Sequence, residues 1–168
     1  MTSRRAFLSA KIRPGDGSIA RPPGSVERCF VDLCSKCGKC ADTCPEDVII
    51  IGTDGYPRFQ PTDNPCTFCG ECAQICPTEA LQTDHLPDWQ WRAALKADDC
   101  LSMIGVSCRI CQDNCEQNAI RFKLTTGGRA EPALDFEACN GCGICPSLCP
   151  VDAITLERPP QPQMETTQ

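Results

Sequence analysis

Short apolar runs, each closed by a turn signal, punctuate the chain. Val48-Ile49-Ile50-Ile51 is β-branched and apolar, Gly52-Thr53-Asp54-Gly55 reads as a turn, and Tyr56 to Phe59 can return as a second strand. The plan recurs later as Ile120 to Leu124, the turn Thr125-Thr126-Gly127-Gly128, and Ala130 to Leu134. Ala153-Ile154-Thr155-Leu156 reads as a closing strand. Within residues 78–99, Asp88-Trp89-Gln90-Trp91-Arg92-Ala93-Ala94-Leu95-Lys96 has Asp near its start and Lys near its end, which predicts a short connecting helix. Residues 1–28 carry Pro14, Pro22, Pro23 and scattered Gly and Ser, and predict an extended or disordered arm. Residues 158–168 are polar and Pro-rich and predict a loose tail.

Between the apolar runs lies a fourfold repeat of cysteines. The first unit is Cys34, Cys37, Cys40, Cys44-Pro45; the second is Cys66, Cys69, Cys72, Cys76-Pro77; the fourth is Cys139, Cys142, Cys145, Cys149-Pro150. All three follow C-x2-C-x2-C-x3-C-P. The third unit is irregular: Cys100, then Cys108, Cys111 and Cys115 followed by Glu116. The first two units are offset by 32 residues, and the last three cysteines of the third and fourth by 34, which predicts two tandem pairs. A short helix is expected near the third Cys of each unit. It would end by the Cys-Pro, since proline lacks an N–H and biases its predecessor towards extended geometry.

Composition explains why the cysteines matter. Leu, Ile, Val and Phe together supply 32 of the 168 residues, near the level at which disorder competes with folding. A chain so poor in core residues needs cross-links or metals. Seventeen cysteines is an odd number, against a disulfide framework. The net charge of -6 argues against general nucleic-acid binding. It is uneven: residues 1–28 carry six basic against two acidic groups, and the remainder 10 against 20. No run approaches the roughly 18–20 apolar residues of a membrane span.

Thiolates are soft ligands that suit iron–sulfur clusters or zinc. Zinc sites favour two separated C-x2-C pairs, or pairs completed by His. Three cysteines at every third residue, then a fourth before proline, is the bacterial [4Fe–4S] run. In two-cluster ferredoxins the fourth Cys of each run serves the other cluster. Transferred here, Cys76 would complete Cys34, Cys37 and Cys40, and Cys44 would complete Cys66, Cys69 and Cys72. Likewise Cys115 would complete Cys139, Cys142 and Cys145, and Cys149 would complete Cys100, Cys108 and Cys111. Gly38, Gly70 and Gly143 each follow a second Cys, where a missing Cβ lets the chain wrap tightly; the third unit has Arg109 there. Three to four clusters are expected, the alternative for the third unit being a degenerate site without one. Cys29 falls outside the spacing and reads as an incidental thiol.

The predicted fold class is α+β: two tandem bacterial-ferredoxin-like modules, short βαβ-type units built around [4Fe–4S] clusters and rich in loops. The expected domains are a basic arm over 1–28, a first module over 29–80, a linker with a short helix over 81–99, a second module over 100–157 and a tail over 158–168. No catalytic residue is visible, so an enzyme is not expected. His85, the single histidine, reads as a surface residue, and one His excludes a Rieske centre. Gly15-Asp16-Gly17-Ser18-Ile19-Ala20 matches a dinucleotide fingerprint without the strand and helix it requires. Trp89 and Trp91 read as packing between the halves. Ser3-Arg4-Arg5 resembles a twin-arginine export motif. It lacks the apolar stretch of roughly 7–15 residues that export needs, so Arg4 and Arg5 are candidates for partner binding instead.

Taken together, these motifs resemble the NapF family, ferredoxin-type accessory proteins of the periplasmic nitrate reductase system. The resemblance spans about residues 2–157. It rests on Ser3-Arg4-Arg5 without an apolar stretch, on Cys100-Leu101-Ser102 through Cys108-Arg109-Ile110-Cys111-Gln112-Asp113-Asn114-Cys115-Glu116, and on the unit order ending Cys149-Pro150-Val151-Asp152-Ala153-Ile154. It implies a cytoplasmic iron–sulfur protein that contacts the precursor of the reductase catalytic subunit before export. There it would aid maturation by electron transfer or by help with cluster or cofactor loading. Two competing readings are an electron carrier in the quinol-to-nitrate-reductase chain or general ferredoxin, and a structural module whose clusters only hold the fold.

Overall fold

The computed structural model describes residues 19–26, 29–126 and 130–158. Arg4, Arg5 and the rest of the arm to Ser18, most of the Gly15–Ala20 fingerprint, the glycines Gly127 and Gly128, and the tail from 159 lie outside them.

The first module runs α1 (Phe30–Leu33), α2 (Lys39–Asp42), β1 (Ile49–Ile51), β2 (Pro57–Phe59) and α3 (Glu71–Gln74). β1 and β2 form the expected antiparallel hairpin, with Ile50 opposite Arg58. Its turn is closed by the Gly55 N–H donating to the Gly52 carbonyl at 2.8 Å. The second module contains β3 (Arg92–Leu95), α4 (Ile110–Asp113), β4 (Ile120–Leu124), β5 (Ala130–Leu134), α5 (Ile144–Leu148) and β6 (Ile154–Glu157). β4 and β5 form its hairpin, and β3 pairs antiparallel with β6 from Arg92–Glu157 to Leu95–Ile154. The short helices pack in pairs, α2 on α3 and α4 on α5, which sets the two cysteine runs of each module side by side.

Two expectations are corrected. The helix over Asp88–Lys96 does not form: a 3-10 turn covers Thr83–Asp88 and the chain then extends into β3. Trp89, Trp91 and Ala93 are buried, while Gln90 is exposed and Arg92 and Ala94 are half-covered, a period of two rather than 3.6. The pairing with β6, far away in sequence, outweighs the weak helical preference. Residues 81–99 therefore act as more than a linker, because β3 completes the second module. The arm over 1–28 is likewise not wholly loose. Pro22 and Pro23 are fully buried, the Phe59 N–H donates to the Ala20 carbonyl at 2.8 Å, and Val26 N–H donates to the Ala80 carbonyl at 3.0 Å. Ser25 bridges Leu81 in antiparallel register, and the Arg21 guanidinium lies over the Phe30 and Tyr56 rings. Proline suits this place because an edge segment can spare its N–H. The tail also begins packed, with Arg158 over the Trp91 ring.

The two corrections share one cause. Ser25–Leu81 in the first module and Leu95–Ile154 in the second are equivalent pairings. Each module thus opens with an extended segment that pairs with the chain after the module's last cysteine.

Candidate metal centres

The three regular units fold alike. Gly38, Gly70 and Gly143 immediately precede α2, α3 and α5 with φ of 79°, 80° and 84°, a left-handed turn that glycine makes without steric cost. The turn aims amides at the thiols. The Lys39 amide, then the Ser35 hydroxyl, hold the Cys37 thiol below its ordinary value. Burial outweighs the Ile144 amide, which acts the same way on Cys142, and the Phe68 amide, which precedes the Gly70 turn and acts on Cys66. In the third unit Arg109 sits at φ -139°, so the left-handed turn is absent rather than strained. The far side of that unit is regular. Asn118 has φ 52°, matching Asp47 at 54° and Asp152 at 51°, three residues after the fourth Cys of their units. Asn and Asp tolerate this conformation, so the turn survives without the proline.

For three of the four sets, the cysteines that the ferredoxin rule would join line a common cavity. Cys34, Cys37, Cys40 and Cys76 line one cavity, beneath Phe30 and Leu81. Cys44, Cys66, Cys69 and Cys72 line a second, closed by Pro23 and Leu86. Cys115, Cys139, Cys142 and Cys145 line a third, of about 230 Å³. Cys100 and Cys108 are electrostatic neighbours of Cys111. Cys149 lies at the end of α5, where its Sγ accepts the Ala153 N–H at 3.2 Å. The longer first gap of this unit is taken up by a loop in which Val106 N–H donates to the Leu101 carbonyl at 2.8 Å. Ser102 Oγ ties that loop to the Ala130 carbonyl. Cys29 is exposed at the start of α1.

Burial dominates the electrostatics. It pushes the Cys40, Cys66 and Cys111 thiols up to about 11 and Cys72 up to about 12, and raises Cys142 and Cys145 as well. Neighbouring thiolates add to this, as Cys44, Cys69 and Cys142 do at Cys66. Such groups stay protonated near neutral pH unless a cation takes the place of their protons. Among the described residues no three His, Cys, Asp or Glu side chains close around a single ion. Sets of four thiols around a cavity suit the corners of a cube better than a zinc tetrahedron.

Sequence reasoning anticipated amide donors at the glycines and missed the lid. The amides of Lys39, Ala41, Phe68, Gln112 and Ile144 face thiols. The Pro23 carbonyl lies 3.9 Å from Cys72 Sγ. Glycine after the second cysteine was a legible signal for the first; nothing local marks Pro23. His85 bonds Asp88 at 2.7 Å, outside every cysteine set.

Two family models match this chain, each described as a 4Fe-4S dicluster domain, over residues 33–81 and 106–153. The chain thus carries two tandem dicluster domains and multiple [4Fe–4S] clusters. It is 48% identical over 139 residues to the ferredoxin-type protein NapF of Haemophilus influenzae, covering 81% of this chain and 77% of the relative. It is 38% identical over 155 residues to that of Escherichia coli, covering 92% and 94%. A ferredoxin-type protein NapG of Escherichia coli is 33% identical over 173 residues, covering 90% of this chain and 73% of the relative.

Proposed function

Because the chain belongs to the NapF family of ferredoxin-type proteins, we propose that it is a cytoplasmic accessory protein that binds the precursor of the periplasmic nitrate reductase catalytic subunit and assists its maturation before export. The reading includes the sixteen cysteines of the four units as cluster ligands, in the sets Cys34/37/40/76, Cys44/66/69/72, Cys115/139/142/145 and Cys100/108/111/149. The observation that carries it is the meeting of thiols from separate runs at single cavities. Each set ties distant segments together, so ligation would hold the fold as well as the metal. The proposed modules span 29–80 and 100–157, with residues 20–26 and 92–95 as their opening segments.

When bound, [4Fe–4S] groups supply one-electron exchange, which suits reductive help during loading of a partner's cofactor. The protein's own residues do the rest. Phe30, Val48 and Leu81 exclude water on the first module's side, and amides from residues after the second cysteines stabilise thiolate charge. No helix among the described residues is long and apolar enough to cross a membrane. The cationic arm, with Arg4 and Arg5, would meet the partner ahead of an anionic body. A second reading, electron carriage along a quinol-to-reductase chain, is favoured by Cys66 lining the same cavity as thiols of the second module.

Anaerobic pull-down with full-length holoprotein tests the proposal. The unprocessed catalytic subunit should be recovered, and recovery should fall when Arg4 and Arg5 are both replaced by alanine. No recovery with iron content intact would overturn the reading. Iron counting tests the ligand sets: about 16 Fe per chain for four cubes, with Cys108→Ala losing about 4.

A further inference from the structure

The backbones of the two modules touch at their cysteine loops. Cys66 N–H donates to the Cys142 carbonyl at 2.9 Å, joining a ligand candidate of one module directly to one of the other. Beside it Trp89 Nε1–H donates to the Gly141 carbonyl at 3.3 Å, and the Trp89 ring meets Phe68 edge-on at 6.2 Å. The contact is closer than side chains would allow. A Cβ on Gly143 would lie 2.4 Å from Pro61 Cγ and 3.1 Å from Phe59 Cε1, and one on Gly141 would lie 2.0 Å from the Trp91 carbonyl oxygen. Gly38, at φ 79° against 84°, holds the same place in its unit as Gly143, yet a Cβ there would meet nothing within 4 Å. Wrapping a cysteine loop therefore does not demand this proximity; it belongs to the junction.

We infer that the junction is a built electron bridge, in which the sets Cys44/66/69/72 and Cys115/139/142/145 face each other through the Cys66–Cys142 hydrogen bond, while Cys34/37/40/76 and Cys100/108/111/149 form the two outer ends. The inference rests on the ligand sets proposed above. One electron leaves the reduced side and is gained by the oxidised side, with no proton or covalent bond exchanged. The hydrogen bond supplies a short connection between ligands, and Trp89 is a positioning residue that fixes the Gly141 loop. The four sets then lie in the order first unit, second unit, fourth unit, third unit. The irregular third unit stands at one terminus, and no electron crossing the junction has to pass through it.

Full-length protein with Cys37→Ala and Cys108→Ala, which removes one ligand from each outer set, tests the order. After dithionite reduction it should hold about 8 Fe and give an EPR spectrum split by spin–spin interaction between the two remaining cubes. Two magnetically isolated signals at about 8 Fe would overturn the bridge and leave the ligand sets standing. Wild-type protein that binds no cubes at all would overturn both. If the double variant does not fold, hydrogen exchange on wild-type holoprotein decides: slow exchange of the Cys66 amide supports the bridge, and exchange as fast as that of an exposed loop overturns it. Trp89→Phe, with iron unchanged, should accelerate exchange of the Cys66 amide and weaken the splitting; no change in either would remove Trp89 from the proposal.

Discussion

The two modules share a plan and differ in what fills it. The first packs Phe30, Val48, Ile49, Phe59, Ala73, Ala80, Leu81, Trp89 and Trp91 around Cys40 and Cys72. The core cluster of the second is Ala93, Ile120 and Ile154 beside Cys111 and Cys145. Several of its larger apolar side chains face outward: Leu124 is 78% exposed, Ile104 63%, Phe136 54% and Val106 49%. The first module also has the Ala20–Val26 segment as a lid with two buried prolines, whereas β3 lies at the same place in the second with the small Ala93 inward. A cluster can replace hydrophobic core, and the second module leans on that replacement more heavily.

The largest expected effect comes from removing the metal. Anaerobic chelation should unfold the second module first, so amide protection in β4 and β5 is lost before that in β1 and β2. Simultaneous loss would erase the contrast between the modules. Next, Phe30→Ala should cost the first module about 3–5 kcal/mol, because its ring is buried and the cavity refills poorly. Denaturant melts of the holoprotein followed at each hairpin should show the second module unchanged.

pH gives a third, smaller lever. In cluster-free protein the buried Cys40, Cys66 and Cys72 thiols titrate near 11–12, above the ordinary value of 9.0. The folded state therefore holds these protons more tightly, and its stability is full below pH 9 and falls as pH rises towards 11–12. Denaturant midpoints should drop across that window in cluster-free protein and stay level in holoprotein, whose thiolates have already lost their protons. The smallest effect is expected from Arg109→Gly. The native φ there is not left-handed, so glycine gains no turn, and it loses the contact of Arg109 with the Phe122 ring at 5.9 Å. Stability should fall by about 0.5–1 kcal/mol with iron content unchanged. A gain in stability would mean that the third unit is a regular unit held back by one side chain.

Much of this was legible in the chain. β1, β2, β4, β5 and β6 sit on the apolar runs bounded by Gly and Asp turns. The four cysteine-bearing helices fall at the third cysteine of their units, where a left-handed glycine starts three of them. β3 was misread because its Asp and Lys ends imitate helix caps. The alternation of Trp89, Trp91, Ala93 and Leu95 was the better guide. The packing of Ala20 to Val26 left no periodic mark, since a proline-rich segment looks the same whether it is free in water or laid along a module.

The sequence by itself determined the chemistry and its repeat. Thiol spacing and the helix-starting glycines are local features, and they act through bond geometry within a few residues. Tertiary structure alone decided that residues 20–26 and 92–95 open the two modules and that Cys66 lies against Cys142. Those facts depend on pairings between residues up to 76 positions apart, from Cys66 to Cys142. Local propensity carries no record of such pairings, because their free energy arises only when both segments are buried together.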